Sequence, residues 1–182
     1  QLKITETDDR GIIVGAERLD VYLNQLRGKK VAIVANQASI VGGVHLVDTL
    51  LSRGVDIGHV YAPEHGFRGN QGAGAHIDDE TDISTGLAIY SLHGSSKKPS
   101  KKSLEGVDVL IFDIQDVGLR FYTYISSLHY VMEACAEQGV QVMILDRPNP
   151  NMGSKPDGPV LDPEYSSFIG KHEVPVLHGL TI

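Results

Sequence analysis

Long apolar runs, paired cysteines and an excess of basic residues are all missing from this sequence of 182 residues. No apolar run approaches the roughly 20 residues that a membrane-spanning helix needs, so we predict no transmembrane segment. The single Cys135 cannot form an intrachain disulfide, and its place on the apolar stripe of a predicted helix is typical of a small buried hydrophobe. The formal net charge of -7 disfavours a nucleic-acid partner, because phosphate binding needs a basic surface.

Motifs for phosphate and zinc are missing as well. The turn after the first predicted strand, residues 36–43, is neither a G-x-G-x-x-G motif nor a Walker loop, and the glycines after the second strand precede no helix whose N-terminus would bind phosphate. The eight histidines show no H-x-x-x-H or H-E-x-x-H spacing. We therefore predict no cofactor and no metal site. We interpret the acidic run Asp78-Asp79-Glu80 as a solvated loop, with a site for a hard cation as the alternative.

What the sequence does contain is an alternation of short β-type runs with amphipathic helical patterns, in a composition that is 41% hydrophobic and 21% charged. Apolar runs rich in β-branched residues predict core strands at 29–37, 57–62, 87–92, 107–114 and 140–145. Apolar spacings of three and four predict helices that end at Gly28, Gly54 and Gly139. The alternation predicts an α/β fold, a Rossmann-like three-layer sandwich with a mostly parallel sheet of about five strands.

Three stretches fall outside this alternation. The glycine-rich residues 66–86 predict a long loop, and the basic run 97–102 predicts a solvated one. Six of the eight prolines follow Arg147, so we expect the tail to be irregular or extended. We divide the chain into a Rossmann-like catalytic domain, residues 1–150, and a proline-rich extended segment, residues 151–182, that leads to a C-terminal domain absent from this chain.

Polar residues follow four of the predicted strands at their carboxyl ends. In a parallel sheet these ends share one edge, which is where open α/β sheets bind ligands. The residues are Asn36 and Gln37; Glu64, His65 and Arg68; Asp113, Gln115, Asp116 and Arg120; and Asp146, Arg147 and Asn149. Four strands that each deliver polar side chains to one edge predict a pocket there, in preference to four unrelated caps or ion pairs.

The densest group surrounds Glu64. Pro63 and Phe67 would shield its carboxyl from water and favour the protonated form that a general acid needs, whereas an ion pair with Arg68 would favour the charged form. The residues alone leave both open, as they do the plainer reading of a solvated loop with one ion pair. Glycoside hydrolysis uses one carboxylic acid to protonate the leaving oxygen and often a second carboxylate as base or nucleophile. Asp116 and Asp146 are the candidates for that second group.

Five separated motifs occur in order and carry a family resemblance. They are Ala62–Gly69, Asp113–Tyr124, Asp146–Pro150, Asp157–Asp162 and His178–Thr181. Together they resemble the NamZ-like exo-β-N-acetylmuramidases, glycoside hydrolase family 171, formerly a domain of unknown function. The resemblance runs from about Gly11 to Ile182, and its agreement in both identity and order makes it specific.

The resemblance implies a Rossmann-like N-terminal domain, a smaller C-terminal domain and an active site in the cleft between them. It implies release of terminal N-acetylmuramic acid from the non-reducing ends of peptidoglycan fragments, and hence a role in cell wall recycling, with Glu64 as the catalytic acid. One arginine would grip the lactyl carboxylate bidentately. With Asn36 added from the strand ends, the implied pocket residues are His65, Arg68, Gln115, Asp116, Arg120, Tyr122, Asp146, Arg147 and Asn149.

Several points stay open on the sequence alone. The second catalytic group is Asp116, Asp146 or the N-acetyl group of the substrate itself. A chain that stops at Ile182 would lack one wall of the cleft, so we do not expect it to be fully active alone. The alternative function is a non-catalytic module that binds muropeptides or sugars. Because peptidoglycan fragments occur outside the cytoplasmic membrane, we expect an exported protein of the periplasm or cell envelope, although the sequence shows no signal peptide.

Overall fold

The computed structural model describes residues 11–64, 66–69, 80–94, 96–151 and 153–182. Within them, eight strands are present: β1 (Lys30–Ala35), β2 (Ile40–Val41), β3 (Val44–His45), β4 (Asp56–Ala62), β5 (Glu80–Thr81), β6 (Ala88–Ser91), β7 (Val109–Asp113) and β8 (Gln141–Ile144). Six of them form one sheet in the order β5-β6-β4-β1-β7-β8, while β2 and β3 form a separate antiparallel pair. Every neighbouring pair in the large sheet is parallel except β5 and β6.

The five predicted core strands correspond to β1, β4, β6, β7 and β8, and their parallel pairing confirms the predicted fold. The sixth strand, β5, lies in the stretch that we predicted to be a loop. It forms because Glu80 and Thr81 pair with Ile89 and Ala88 of β6. The sheet is therefore one short antiparallel edge strand wider than predicted.

Three α-helices accompany the sheet: α1 (Leu19–Tyr22), α2 (Leu46–Ser52) and α3 (Tyr124–Gln138). The predicted first helix is interrupted, since α1 is flanked by the 3-10 turns Gly15–Glu17 and Leu23–Leu26. At its start, the backbone N–H of Gly15 donates to the carbonyl of Asp146 in the loop after β8 at 2.8 Å, while the Gly15 carbonyl accepts from the N–H of Arg18 at 3.1 Å. Gly139 ends α3 in the left-handed conformation, as the glycine pattern predicts. None of the helices in the described ranges has the length and apolar character needed to cross a bilayer.

The core lies on both faces of the sheet, which gives the three predicted layers. Successive side chains of a strand point to opposite faces. On β1, Val31 and Ile33 pack with α1 and α2, whereas Ala32 and Val34 pack with α3, and all four are fully buried. Cys135 is buried on the α3 side, and burial raises the pKa of its thiol to about 11.

The tail that follows β8 returns across the loop between β7 and α3. Its residues from 153 onward contain the 3-10 turn Pro163–Tyr165 and isolated bridges, with no helix or strand among them. Leu177 forms antiparallel bridges with both Leu119 and Asp157. The backbone N–H of His178 donates to the carbonyl of Gly118 at 2.9 Å, so the tail is bound next to the carboxyl end of β7.

Candidate active site

The sheet register places the carboxyl ends of the central strands side by side. Ala35 of β1 lies opposite Asp113 of β7, and Val34 lies opposite Tyr61 of β4. The polar residues that follow these strands therefore leave the sheet from one edge. Strand spacing sets the separation of the strand ends themselves: the ends of β4 and β7 are two spacings apart, roughly 10 Å, and the ends of β4 and β8 three, roughly 14 Å.

Glu64 follows β4 and is half-buried beside the start of α3. It lines a small pocket of about 70 Å³ together with the segment Phe121–Tyr124. The Tyr124 hydroxyl donates to the backbone carbonyl of Glu64 at 3.4 Å and accepts from the Asn36 amide at 3.2 Å. Burial raises the pKa of Tyr124, so its hydroxyl keeps the proton that it donates. Tyr122 packs edge-on against Tyr124, with ring centroids 4.9 Å apart, and also lines the pocket.

Asn36 is held in a buried turn after β1. Its Oδ1 accepts from the backbone N–H of Ala38 at 2.9 Å, and its own backbone N–H donates to Ser39 Oγ at 3.0 Å. Ser39 in turn donates to the backbone carbonyl of Asp113 at 2.6 Å. The Asn36 side chain therefore joins the ends of β1, β4 and α3 through Tyr124, which fixes the backbone that carries Glu64.

Asp116 and Gln115 lie in the loop after β7. Asp116 is buried, and its Oδ2 accepts from the backbone N–H of Gly118 at 2.8 Å. Its Oδ1 has no hydrogen-bond partner among the described residues. Burial raises the pKa of Asp116, an effect that the hydrogen bond from Gly118 only partly opposes. Gln115 donates from Nε2 to the backbone carbonyls of Asp116 at 2.7 Å and Pro148 at 2.8 Å, which joins this loop to the one after β8.

Asp146 and Asn149 follow β8 and bind the tail. Asp146 is exposed, and its Oδ2 accepts from the Thr181 hydroxyl at 2.7 Å. Asn149 donates from Nδ2 to the backbone carbonyl of Leu180 at 3.0 Å. The sheet order places Asp146 one strand farther from Glu64 than Asp116.

Arg68 is bound to carboxylates other than that of Glu64. Its guanidinium donates to Asp82 at 2.8 Å from both Nε and Nη2, and to Asp48 at 3.0 and 2.9 Å from Nη1 and Nη2. The hydrogen bonds from Arg68, with a further one from Thr85, lower the pKa of Asp82 to about 2. The ion pair that would have held Glu64 in its charged form is therefore made with other residues.

The other two arginines predicted for the site, Arg147 and Arg120, bind different groups. Arg147 is buried and donates bidentately to Asp113, at 2.7 Å from Nε and 3.0 Å from Nη2. Arg120 is half-buried and donates from Nη1 to two backbone carbonyls, those of Pro159 at 2.8 Å and Val174 at 2.7 Å. Of the three arginines, Arg120 alone has no carboxylate partner within the described part of the chain.

Some predicted features lie outside what the structure describes. His65 is among them, as are residues 70–79 of the predicted glycine-rich loop, which include Asp78 and Asp79 of the acidic run. In the described ranges, no group of three or more His, Cys, Asp or Glu side chains is arranged to hold a metal ion.

The structure also adds two residues to the site that the sequence analysis did not assign. Tyr124 joins Asn36 to Glu64, and His178 lies in the tail with its Nε2 3.7 Å from Asp116 Oδ2. Both lie within the motifs that carry the family resemblance. Nothing in their local pattern reveals these contacts, since each joins segments that are far apart in the sequence.

Comparison with known proteins agrees with the fold and the motifs. A peptidoglycan β-N-acetylmuramidase NamZ from Bacillus subtilis (strain 168) is 45% identical over 170 residues, covering 88% of this chain and 39% of that protein. A DUF1343 family protein of known structure from Bacteroides fragilis NCTC 9343 is 46% identical with a TM-score of 0.81, covering 93% of this chain and 44% of the other. A second from the same strain is 39% identical with a TM-score of 0.84, covering 92% and 43%.

This chain thus spans about two-fifths of the length of the relatives that it matches. The family described as exo-β-N-acetylmuramidase NamZ, N-terminal, matches over residues 31–182. That range contains all the strands of the sheet except the first residue of β1, and every polar residue at its carboxyl edge. The chain belongs to the NamZ exo-β-N-acetylmuramidase family, whose N-terminal region it matches.

Proposed function

We propose that this chain carries the catalytic acid of a glycoside hydrolase that releases terminal N-acetylmuramic acid from the non-reducing ends of peptidoglycan fragments. Membership of the family and the activity for which the Bacillus subtilis relative is named support the substrate class. The observation that carries the site is the position of Glu64, half-buried at the carboxyl edge of the sheet in a pocket walled by Tyr122 and Tyr124.

In this proposal Glu64 protonates the leaving glycosidic oxygen. Arg68 binds Asp48 and Asp82, so its guanidinium is not the partner of the Glu64 carboxyl. Asp116 is the second carboxyl group, because it lies one strand closer to Glu64 than Asp146. The substrate's own N-acetyl group is the alternative to Asp116 as the second catalytic group.

The test of the acid is Glu64→Gln in the full-length protein, assayed on a chromogenic β-N-acetylmuraminide. We expect kcat to fall about 100- to 10,000-fold, because the amide cannot supply the proton. Glu105→Gln, at an exposed position, is the matched control and should retain its rate. Unchanged turnover in the Glu64 variant removes the residue from this role. Tight binding of N-acetylmuramic acid without turnover by the wild-type protein would favour the non-catalytic sugar-binding alternative.

We assign Arg120 to bind the lactyl carboxylate, the group that distinguishes muramic acid from glucosamine. Arg68 and Arg147 already bind carboxylates bidentately, whereas Arg120 binds two carbonyls through one nitrogen and directly precedes the pocket segment Phe121–Tyr124. We expect Arg120→Met to raise KM for the muraminide at least about tenfold, the effect of losing a charged hydrogen bond. An equal rise for a β-N-acetylglucosaminide, which lacks the lactyl group, would contradict this assignment.

The proposed substrate also sets the proposed location. Peptidoglycan fragments with terminal N-acetylmuramic acid are produced outside the cytoplasmic membrane, so we propose that the protein is exported to the periplasm or cell envelope. Fractionation of the native host with an antibody against the chain tests this point. Recovery of the protein in the cytosolic fraction alone would overturn it.

A further inference from the structure

Two buried polar groups meet where the tail crosses the loop after β7. His178 Nε2 lies 3.7 Å from Asp116 Oδ2, and both side chains are less than 5% exposed. His178 Nε2 and Asp116 Oδ1 are both buried without a hydrogen-bond partner among the described residues. Buried polar atoms are almost always hydrogen-bonded, so unpaired ones that occur together call for an explanation.

Gly118 holds the two side chains in place. Its backbone N–H donates to Asp116 Oδ2 at 2.8 Å, and its carbonyl accepts from the backbone N–H of His178 at 2.9 Å. The adjacent bridge between Leu119 and Leu177 extends this pairing along the tail. The proximity of His178 to Asp116 is therefore built into the backbone.

The hydrogen bonds of the imidazole also define which nitrogen carries the proton. The backbone N–H of Leu180 donates to His178 Nδ1 at 3.2 Å, so Nδ1 is an acceptor. A neutral ring must then carry its proton on Nε2, the nitrogen near Asp116. The gap of 3.7 Å is longer than a direct hydrogen bond, and a displacement of less than about 1 Å closes it.

We propose that His178 is a positioning residue for Asp116: its Nε2–H approaches Oδ2, stabilises the carboxylate and fixes the orientation of the carboxyl group. The assignment of Asp116 to the substrate rests on the proposed function, whereas the pairing with His178 does not. With Gly118 and His178 both on Oδ2, the plane of the carboxyl group is fixed. A fixed plane suits a carboxyl group that must act in one direction.

His172 is a further ionisable group that interacts with His178. His172 of the tail is 3.3 Å from His129 of α3, measured from Nε2 to Nδ1. Burial lowers the pKa of His172, and the neighbouring His129, Lys171 and His178 act in the same direction. His172 contacts His129 rather than Asp116, which makes it a suitable control.

The test compares two substitutions of His178 in the full-length protein. His178→Gln keeps an N–H donor at the position of Nε2, whereas His178→Asn keeps only an acceptor near Leu180. We expect His178→Asn to raise the pKa of Asp116 by about one unit, because its carboxylate loses a donor, and to lower kcat at least about tenfold with KM little changed. We expect His178→Gln to restore both within about threefold, and His172→Gln to leave Asp116 unaffected.

Two readouts separate this proposal from the proposed function. The titration of Asp116, followed by carbon NMR of labelled aspartate, needs no substrate, so it decides the pairing even if the wild-type protein shows no hydrolysis. An identical pKa of Asp116 in the wild-type protein and in the His178→Asn variant overturns the proposal. Equal losses of activity and stability in the Asn and Gln variants, with Asp116 unshifted, also overturn it, because that result describes a residue that only fills space.

Discussion

Asp113 and Arg147 show that charged residues at the carboxyl edge of the sheet bind each other. Asp113 is completely buried at the end of β7, and both of its carboxylate oxygens accept from the guanidinium of Arg147. Arg147 also donates to the backbone carbonyl of Ile40 at 3.3 Å. Since these bonds join the ends of β7 and β8 to β2, Arg147 supports the frame of the pocket.

This arrangement predicts that Arg147→Met destabilises the protein rather than weakening substrate binding. Removing one partner leaves the Asp113 carboxylate buried and uncompensated, at a cost of about 3–5 kcal/mol in the free energy of unfolding. The double variant Asp113→Leu, Arg147→Met should recover most of that loss, since neither charge then remains. Urea unfolding of the single and double variants measures both effects. A single variant of wild-type stability whose KM alone rises would show that Arg147 binds substrate.

The arginines also show where inference from sequence stops at the level of single residues. The sequence places Arg68, Arg120 and Arg147 at one edge, and the structure leaves them there. Which carboxylate each one binds depends on tertiary packing: Arg68 binds residues 20 positions before it and 14 after it, and Arg147 binds one 34 positions before it. No local pattern encodes such pairs, so Arg68 and Arg147 could not be distinguished from Arg120 in advance.

At the level of elements, the strongly patterned segments were predictable and the short ones were not. β7 is a run of five buried residues and α3 has helical spacing over 15, and both lie where the pattern predicts. β2, β3 and β5 have two residues each, too few to show any periodicity. They form because neighbouring segments of the same chain offer partners for backbone hydrogen bonds. The first helix is interrupted at Arg18, whose backbone lies outside the helical region.

Two glycines with the same backbone conformation provide a test at this scale. Gly118 lies in the loop between β7 and α3, and Gly106 lies before β7. Gly118 and Gly106 have φ angles of 71° and 76°, which strain any residue with a Cβ. A Cβ at Gly118 would also overlap the side chain of Asn149, whereas one at Gly106 would meet nothing within 4 Å.

We therefore predict that Gly118→Ala lowers the free energy of unfolding by about 1–3 kcal/mol more than Gly106→Ala. The Gly106 variant measures the backbone strain alone, about 1–2 kcal/mol. Thermal unfolding of both variants gives the difference. Equal losses would mean that Asn149 moves aside without cost and that the loop does not depend on this close approach.

For the whole molecule, sheet order decides which predicted site residues can act together. The sequence predicts that the polar residues share an edge, because parallel strands end on the same side. It does not predict that β1 lies between β4 and β7, since strand order comes from how the crossovers pack. This order separates Glu64 from Asp146 by three strand spacings and from Asp116 by two. Our proposal of Asp116 in preference to Asp146 therefore rests on the strand order and not on the sequence.

The response of the whole fold to acid follows from groups that the fold buries in neutral form. His59 of β4 packs edge-on against Tyr61 and Tyr90, and its Nε2 has no hydrogen-bond partner in the described part of the chain. Burial, with a smaller effect of Lys30, lowers the pKa of His59 from 6.5 to about 4. Burial also lowers the pKa values of His45 and His172.

Because the unfolded chain binds a proton at His59 before the folded one does, stability is fully present above pH 6.5 and decreases as the pH falls toward about 4. The loss from this residue is about 3 kcal/mol. We predict that His59→Leu reduces the pH dependence of the free energy of unfolding over that interval, without removing the part that is due to His45 and His172. Urea unfolding at a series of pH values tests this. At pH values well above 6.5, the difference in free energy of unfolding between the variant and the wild type measures packing alone, since the histidine is then neutral in both the folded and the unfolded state. Parallel curves for variant and wild type would show that His59 is protonated in the folded protein as readily as in the unfolded chain.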